Sequence, residues 1–230
     1  MKIMKIITRW IFIICIPIFL ISGGISIVAN GLSLWPGEWG AERYEIRQTL
    51  ANYGLNLEPA QLKEVYADLV RYFVSTDEYI NIKVTQDGQT INLFTEEETI
   101  HFKDVQGLLQ LDYGLCLGAL VYILAFAGIF LFRLKDRRGP ALGLIWGAGL
   151  MITLLLALVL LDTFYGFGEL WIQFHLLFFT NDFWSASGYM LLLFPEQFFS
   201  DAAVFCVCFM VTGALLLGGA GWRMLKKSAL

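Results

Sequence analysis

YGLCLGALVYILAFAGIFLFRLKDRR, at residues 113–138, decides the fold. Its first twenty residues carry no charge, and as an α-helix they rise about 30 Å, the thickness of a bilayer's hydrocarbon core. Arg133, Lys135, Arg137 and Arg138 follow at once, a cluster that marks the cytoplasmic end of a span.

Reading outward, residues 10–28, 141–161 and 202–221 form three more apolar runs of spanning length. The composition agrees: 57% hydrophobic and 15% aromatic residues with 16% charged is too apolar for a water-soluble chain of 230 residues. The run at 10–28 exceeds a signal-peptide core and lacks a small-x-small cleavage site, so it reads as a retained helix with a kink expected at Pro17. Lys2, Lys5 and Arg9 precede it, and Arg223, Lys226 and Lys227 follow the fourth run. With the 133–138 cluster these belong on one side, which the positive-inside rule makes cytoplasmic.

The predicted fold is a membrane α-helical protein of four transmembrane helices with a small extracytoplasmic α/β cap and interfacial helices. Its division is a first transmembrane helix in 1–29, the cap in 30–111, a second helix in 112–134, a cytoplasmic loop at 135–140 and a third helix in 141–162. An extracytoplasmic interfacial or re-entrant segment follows in 163–201, then a fourth helix with a cytoplasmic tail in 202–230. Both termini are expected in the cytoplasm of a bacterial cell, with the protein in its membrane.

The net charge of −4 averages a basic inner face and an acidic outer one. No basic, aromatic-interleaved surface appears, which argues against a nucleic-acid partner. Cys15, Cys116, Cys206 and Cys208 all fall in apolar runs and read as packing residues; the outer segments have no cysteine for a disulfide.

Within the cap, residues 42–51 suggest a short helix. Asn56 to Ala60 lead into a second, with Leu62, Val65, Tyr66, Leu69, Val70 and Phe73 on one face. Residues 80–84 and 90–94 alternate apolar and polar around Gln86-Asp87-Gly88, the pattern of a hairpin with an Asp-Gly turn. The acidic run 95–98 reads as a solvated turn.

The polar chemistry is concentrated at the two histidines. His101 lies in HFKDV, and if that segment is helical, Asp104 shares its face at i+3 and is placed to orient the imidazole or raise its basicity. Lys103 would point toward headgroups or solvent. His175 lies in WIQFHLLFFTNDFW, residues 171–184, where an aromatic stretch turns polar. The apolar pieces 170–179 and 189–194 are too short to span and too aromatic for solvent, which suits the membrane-water boundary. Asn181, Asp182 and Glu196 would face a crevice there, although a carboxylate just after Pro195 also suits the start of a helix. A lone interfacial histidine needs only one hydrogen bond to be explained. Two on one side, each followed by an aspartate, read as an acid/base pair.

HFKDV ahead of the second span, with FHLLFFTNDFW and LFPEQFF ahead of the fourth, in a four-span chain, resemble the lipoprotein intramolecular transacylase family. The resemblance implies an enzyme, an acyltransferase. Its substrate is the N-terminus of a diacylglyceryl-modified bacterial lipoprotein, met among membrane lipids at the extracytoplasmic leaflet. The acyl chain on the sn-2 glycerol oxygen moves to the cysteine α-amino group, giving the lyso-form lipoprotein, with no cofactor and no metal. His101, His175 and Asp104 carry over as catalytic residues, and Asn181, Asp182, Trp184 and Glu196 as substrate-binding ones. The oligomeric state is left open.

Two other readings remain at this point. A zinc-dependent membrane hydrolase would ligate its ion with His101, Asp104 and His175, although no H-E-x-x-H pattern occurs. A non-enzymatic membrane subunit or sensor would use the histidines as pH-responsive contacts for a partner protein.

Overall fold

The computed structural model describes residues 2–35 and 40–227. The elements run α1 (Lys2–Asn30), α2 (Gly40–Arg43), α3 (Ile46–Asn52), α4 (Pro59–Val74), β1 (Lys83–Gln86), β2 (Gln89–Asn92), α5 (Glu96–Gly128), α6 (Arg138–Tyr165), α7 (Phe167–Phe178), α8 (Met190–Leu193) and α9 (Glu196–Lys227). A π-helical turn, Ile129–Arg133, continues α5. Among the described residues four stretches are long and apolar enough to cross a membrane: Lys5–Asn30, Glu96–Arg133, Arg138–Tyr165 and Glu196–Lys227. The chain is thus mostly helical, with four candidate spans and one two-stranded sheet, as predicted. The helices outrun the apolar segments, so residues 96–111 and 196–201, read from sequence as cap and outer segment, are the first turns of α5 and α9. Pro17 sits inside α1 without ending it.

The chain divides into two compact units. The first comprises Met1–Ser26, Asp112–Gly166 and Val204–Leu230. Phe12, Ile16, Leu20, Phe126, Phe130, Met151, Leu155 and Met210 form its buried core. In lipid the hydrophobic effect does little to drive helices together, so close packing must do it. Gly147 shows how: a Cβ there would stand 2.5 Å from Ile16 Cδ1 and 3.0 Å from the Ile13 carbonyl, so only glycine lets α1 and α6 approach. Outward side chains such as Leu124, Leu156 and Leu215 are exposed, as on a face that meets acyl chains. Asp136, the one acid in the basic cluster, accepts from the Arg9 guanidinium at 3.2 Å and from the Arg138 and Gly139 amides at 3.0 and 3.1 Å, capping α6.

The second unit, Ile27–Leu111 with Phe167–Ala203, has its own core. In α4, Pro59 opens the first turn, Gln61 Oε1 accepts from the Glu58 amide at 3.1 Å, and Leu62, Val65, Tyr66, Leu69, Tyr72 and Phe73 are buried. Tyr66 donates its hydroxyl to the Leu193 carbonyl at 2.6 Å inside the core, tying α4 to α8. The strands pair antiparallel, Lys83 with Asn92 through Gln86 with Gln89. Asp87 and Gly88, at φ 51° and 76°, make the two-residue turn that such a hairpin needs. The helix expected over 42–51 is instead two, α2 and α3, parted at Glu45, whose φ of 50° is left-handed. Gln106 on α5 donates to the carbonyls of Tyr72, Ser75 and Asp77, closing the C-terminal end of α4. Lys103 turns outward as expected, partly exposed, where it pairs with Glu78 at 2.8 Å and lies over the Tyr79 ring.

Candidate active site

Residues three apart on an α-helix step back about 60°, so Glu98, His101 and Asp104 share one face of α5 within an arc of about 120°. His101 is 7% exposed, and His175, in the last turn of α7, 5%. Their ring centroids stand 6.2 Å apart with the planes tilted by 31°. At that separation the ring nitrogens can come no closer than about 4 Å, beyond a direct hydrogen bond.

His175 Nδ1 lies 2.7 Å from the carbonyl oxygen of Trp171, one turn earlier in α7. A carbonyl only accepts, so Nδ1 must carry the hydrogen. In the neutral ring the lone pair is therefore on Nε2. Around the ring stand Trp171 at 4.5 Å, Trp184 at 4.7 Å, Phe174 at 5.3 Å and Phe179 at 5.4 Å between centroids. Burial in this cage pushes the imidazole below its usual value, and the Trp171 carbonyl opposes the shift in part. The His175 ring therefore rests uncharged at neutral pH.

His101 packs edge-on to Phe179 at 4.9 Å. Its Nδ1 is buried and has no hydrogen-bond partner among the described residues. A buried, unpartnered imidazole nitrogen is costly and calls for an explanation, of which a catalytic role is one. Two imidazolium ions this close would repel, which disfavours charging both rings at once.

Of the two roles expected of Asp104, orienting His101 or raising its basicity, the first has no hydrogen bond behind it among the described residues. Asp104 Oδ2 accepts from Asn181 Nδ2 at 3.0 Å, and Asn181 Oδ1 accepts in turn from the Phe183 amide at 3.1 Å. These two bonds fix the amide's orientation and the start of the short 3₁₀ turn Phe183–Ser185, which holds Trp184 against His175. Five predicted residues therefore come together: His101, His175, Asp104, Asn181 and Trp184. Two do not join them. Asp182 is exposed and serves the turn through its carbonyl, which accepts from the Ser185 amide and hydroxyl at 3.0 and 2.8 Å. Glu196 is exposed in the first turn of α9, the helix-starting position that the preceding proline suggests. Among the described residues no three His, Cys, Asp or Glu side chains are arranged to hold a metal ion, so the ligand set that the zinc reading needs does not converge.

Sequence reasoning missed Glu98. It is fully buried, whereas its neighbours Glu96 and Glu97 are exposed, as the solvated-turn reading expects of the whole run. The legible signal was Thr95-x-x-Glu98 at a helix start: Glu98 Oε2 accepts from the Thr95 amide at 2.9 Å and Thr95 Oγ1 from the Glu98 amide at 3.2 Å. Trp171 was read only as a belt residue, yet its carbonyl sets the His175 tautomer.

No curated protein matches the chain. Solved structures do: the in meso structure of the membrane integral lipoprotein intramolecular transacylase Lit from Bacillus cereus is 20% identical, with a TM-score of 0.80 over 100% of this chain and 99% of that one. Two structures of the same protein with a substituted histidine give TM-scores of 0.75 and 0.73 at 20% and 19% identity. They cover 99% of this chain and 95% and 96% of theirs. At such identity these matches speak for the fold. The sequence itself matches the family of the lipoprotein intramolecular transacylase Lit over residues 10–199, and the chain belongs to that family.

Proposed function

We propose that this transacylase moves the sn-2 acyl chain of a diacylglyceryl-cysteine onto the cysteine α-amino group, with the two histidines as its acid/base pair. The observation that carries the reading is the buried pair 6.2 Å apart with His175 held as the Nδ1–H tautomer, its Nε2 lone pair ready to accept a proton. The substrate amine, with a pKa of about 7.7 to 8.0, is largely protonated at neutral pH and must lose a proton before it can attack an ester. That first proton is lost to solvent, and His175 Nε2 takes the second one, from the nitrogen of the adduct. The amine then adds to the carbonyl carbon, the C–N bond forms and the carbonyl oxygen becomes an oxyanion. Collapse breaks the bond to the glycerol oxygen, which is protonated from the histidine pair as the nitrogen loses its second proton. The products are an amide, a free glycerol hydroxyl and one proton released.

The ring closed during the attack has about eight members, and medium rings close reluctantly, so much of the acceleration is expected from holding amine and carbonyl about 3 to 3.5 Å apart. The aromatic cage suits that task, since it excludes water around one reacting face. Asp104 supplies a negative charge near the incoming ammonium, and Asn181, with one amide hydrogen committed to Asp104, has a second to offer the oxyanion. Trp184 covers His175, while Asp182 and Glu196 are retained as substrate contacts only at the rim. Mass spectrometry of a reporter lipoprotein's N-terminal peptide tests the reaction. Cells with this protein should yield an N-acylated, O-deacylated glyceryl-cysteine, and an unmodified amine in every peptide would refute it.

We place both termini and the loop at 135–140 in the cytoplasm and the histidines at the outer leaflet. The Arg9–Asp136 ion pair supports this, because it joins the first two basic clusters at one end of the first unit. Cysteine-accessibility labels near Asp87 and Asp182 should then react from outside intact cells, and labels near Asp136 should not. Labelling at Asp136 in intact cells would invert the topology and detach the site from the leaflet where lipoproteins reside.

A further inference from the structure

We propose that Glu98 is a positioning residue of this active site, fixing from the turn of α5 before His101 the segment that sets Trp184 against His175. The proposal rests on the acid/base reading above. Residues 181–190 carry Asn181 and Trp184 and include little regular structure, held internally by short turns at Ser185, Ala186 and Gly188. Their two ends are tied to the same face of α5. Asn181 is bonded to Asp104 at one end, and at the other the Met190 amide donates to Glu98 Oε1 at 2.6 Å. His101 stands between these ties, and Trp184 between their far ends.

A carboxylate that only capped α5 would need one oxygen and no burial. Glu98 is fully buried and spends its second oxygen outside the helix, on Met190. Gly188 lies so close to this carboxylate that a Cβ would overlap it. The fit therefore constrains both partners: α5 supplies two acceptors to two segments, and the loop supplies a residue without a side chain. A displaced anchor would let the 3₁₀ turn drift, opening the cage around His175 to water. A misplacement of about 1 Å can cost a hundredfold in rate even when it begins away from the chemistry.

The test uses purified full-length protein in detergent or nanodiscs with a synthetic diacylglyceryl lipopeptide. Because the chain has only two histidines, ring-labelled histidine NMR follows each directly, and His101→Ala and His175→Ala assign the signals. Glu98→Gln keeps the shape but offers one acceptor where two amides need one each, and Gly188→Ala presses on the same contact from the loop side. Both should lower kcat about ten- to a hundredfold with KM within about twofold, and both should move the His175 titration up toward that of a hydrated imidazole. Combining either with Trp184→Ala should be no worse than Trp184→Ala alone. Folded Glu98→Gln or Gly188→Ala protein with an unchanged His175 titration and wild-type kcat would overturn the proposal, as would an additive loss with Trp184→Ala. If the wild type converted no lipopeptide while Glu98→Gln still moved the His175 signal, the acyl-transfer reading would fail and the positioning role would stand.

Discussion

His101→Ala and His175→Ala are each expected to lower turnover about a thousandfold, within the range of a lost acid/base group, and the double mutant to be little worse than either single. Groups on one proton path act as a unit, so the second removal takes away what the first has disabled. His175→Asn is the more exact probe. Its amide can still donate to the Trp171 carbonyl and fill the cage, but it cannot accept a proton at neutral pH, so it should fold, insert and fail. Asp104→Asn should be milder, because it keeps the shape of the contact to Asn181 and removes only the charge. Lipopeptide conversion followed by mass spectrometry, beside the elution and thermal unfolding of each variant, separates lost chemistry from lost folding. Wild-type conversion by well-folded His175→Asn would make His175 a belt residue and end the acid/base assignment.

The membrane architecture was legible because it depends on quantities a sequence carries directly: run length, charge placement and helical period. Arg133 to Arg138 mark a helix end whether or not the contacts of Asp136 are known. The α4 face was legible for the same reason, since a 3.6-residue period survives without coordinates. The break at Glu45 was not, because a left-handed residue between two short helices leaves no mark when the residue is neither glycine nor asparagine. The helix start at Glu196 was legible from the proline before it, whereas the one at Glu96 was not, because polar residues there continue an apolar helix.

At the site, residue types were legible and partners were not. The spacing of His101 and Asp104 correctly puts both on one face, yet Asp104 bonds Asn181, a residue 77 positions away that no local pattern could pair with it. The tautomer of His175 depends on a main-chain carbonyl, which every residue has and no sequence pattern distinguishes. Glu98 lay in a run of like charges, and composition assigns such a run as a block, whereas burial divides it residue by residue.

The pH profile should show a large effect and a particular shape. Going down from pH 8 to pH 5, kcat/KM should fall about four-hundredfold from this cause alone, since the fraction of substrate as free amine drops about tenfold per unit below its pKa of about 7.8. The question is whether the base adds a second break. An ordinary histidine would begin to protonate near pH 6.5 and steepen the slope from there. His175 is held below that value by burial, against the partial opposition of the Trp171 carbonyl. Lowering an imidazole's pKa keeps it neutral to lower pH, so the sign is fixed: log kcat/KM should fall with a slope near one through pH 6.5 and steepen only below it. A variant that hydrates the ring, such as Trp184→Ala, should move the steepening up toward pH 6.5, while the substrate's own break near 7.8 stays in place. A wild-type profile that already steepens at or above pH 6.5 would mean that the ring titrating in catalysis is not the caged His175.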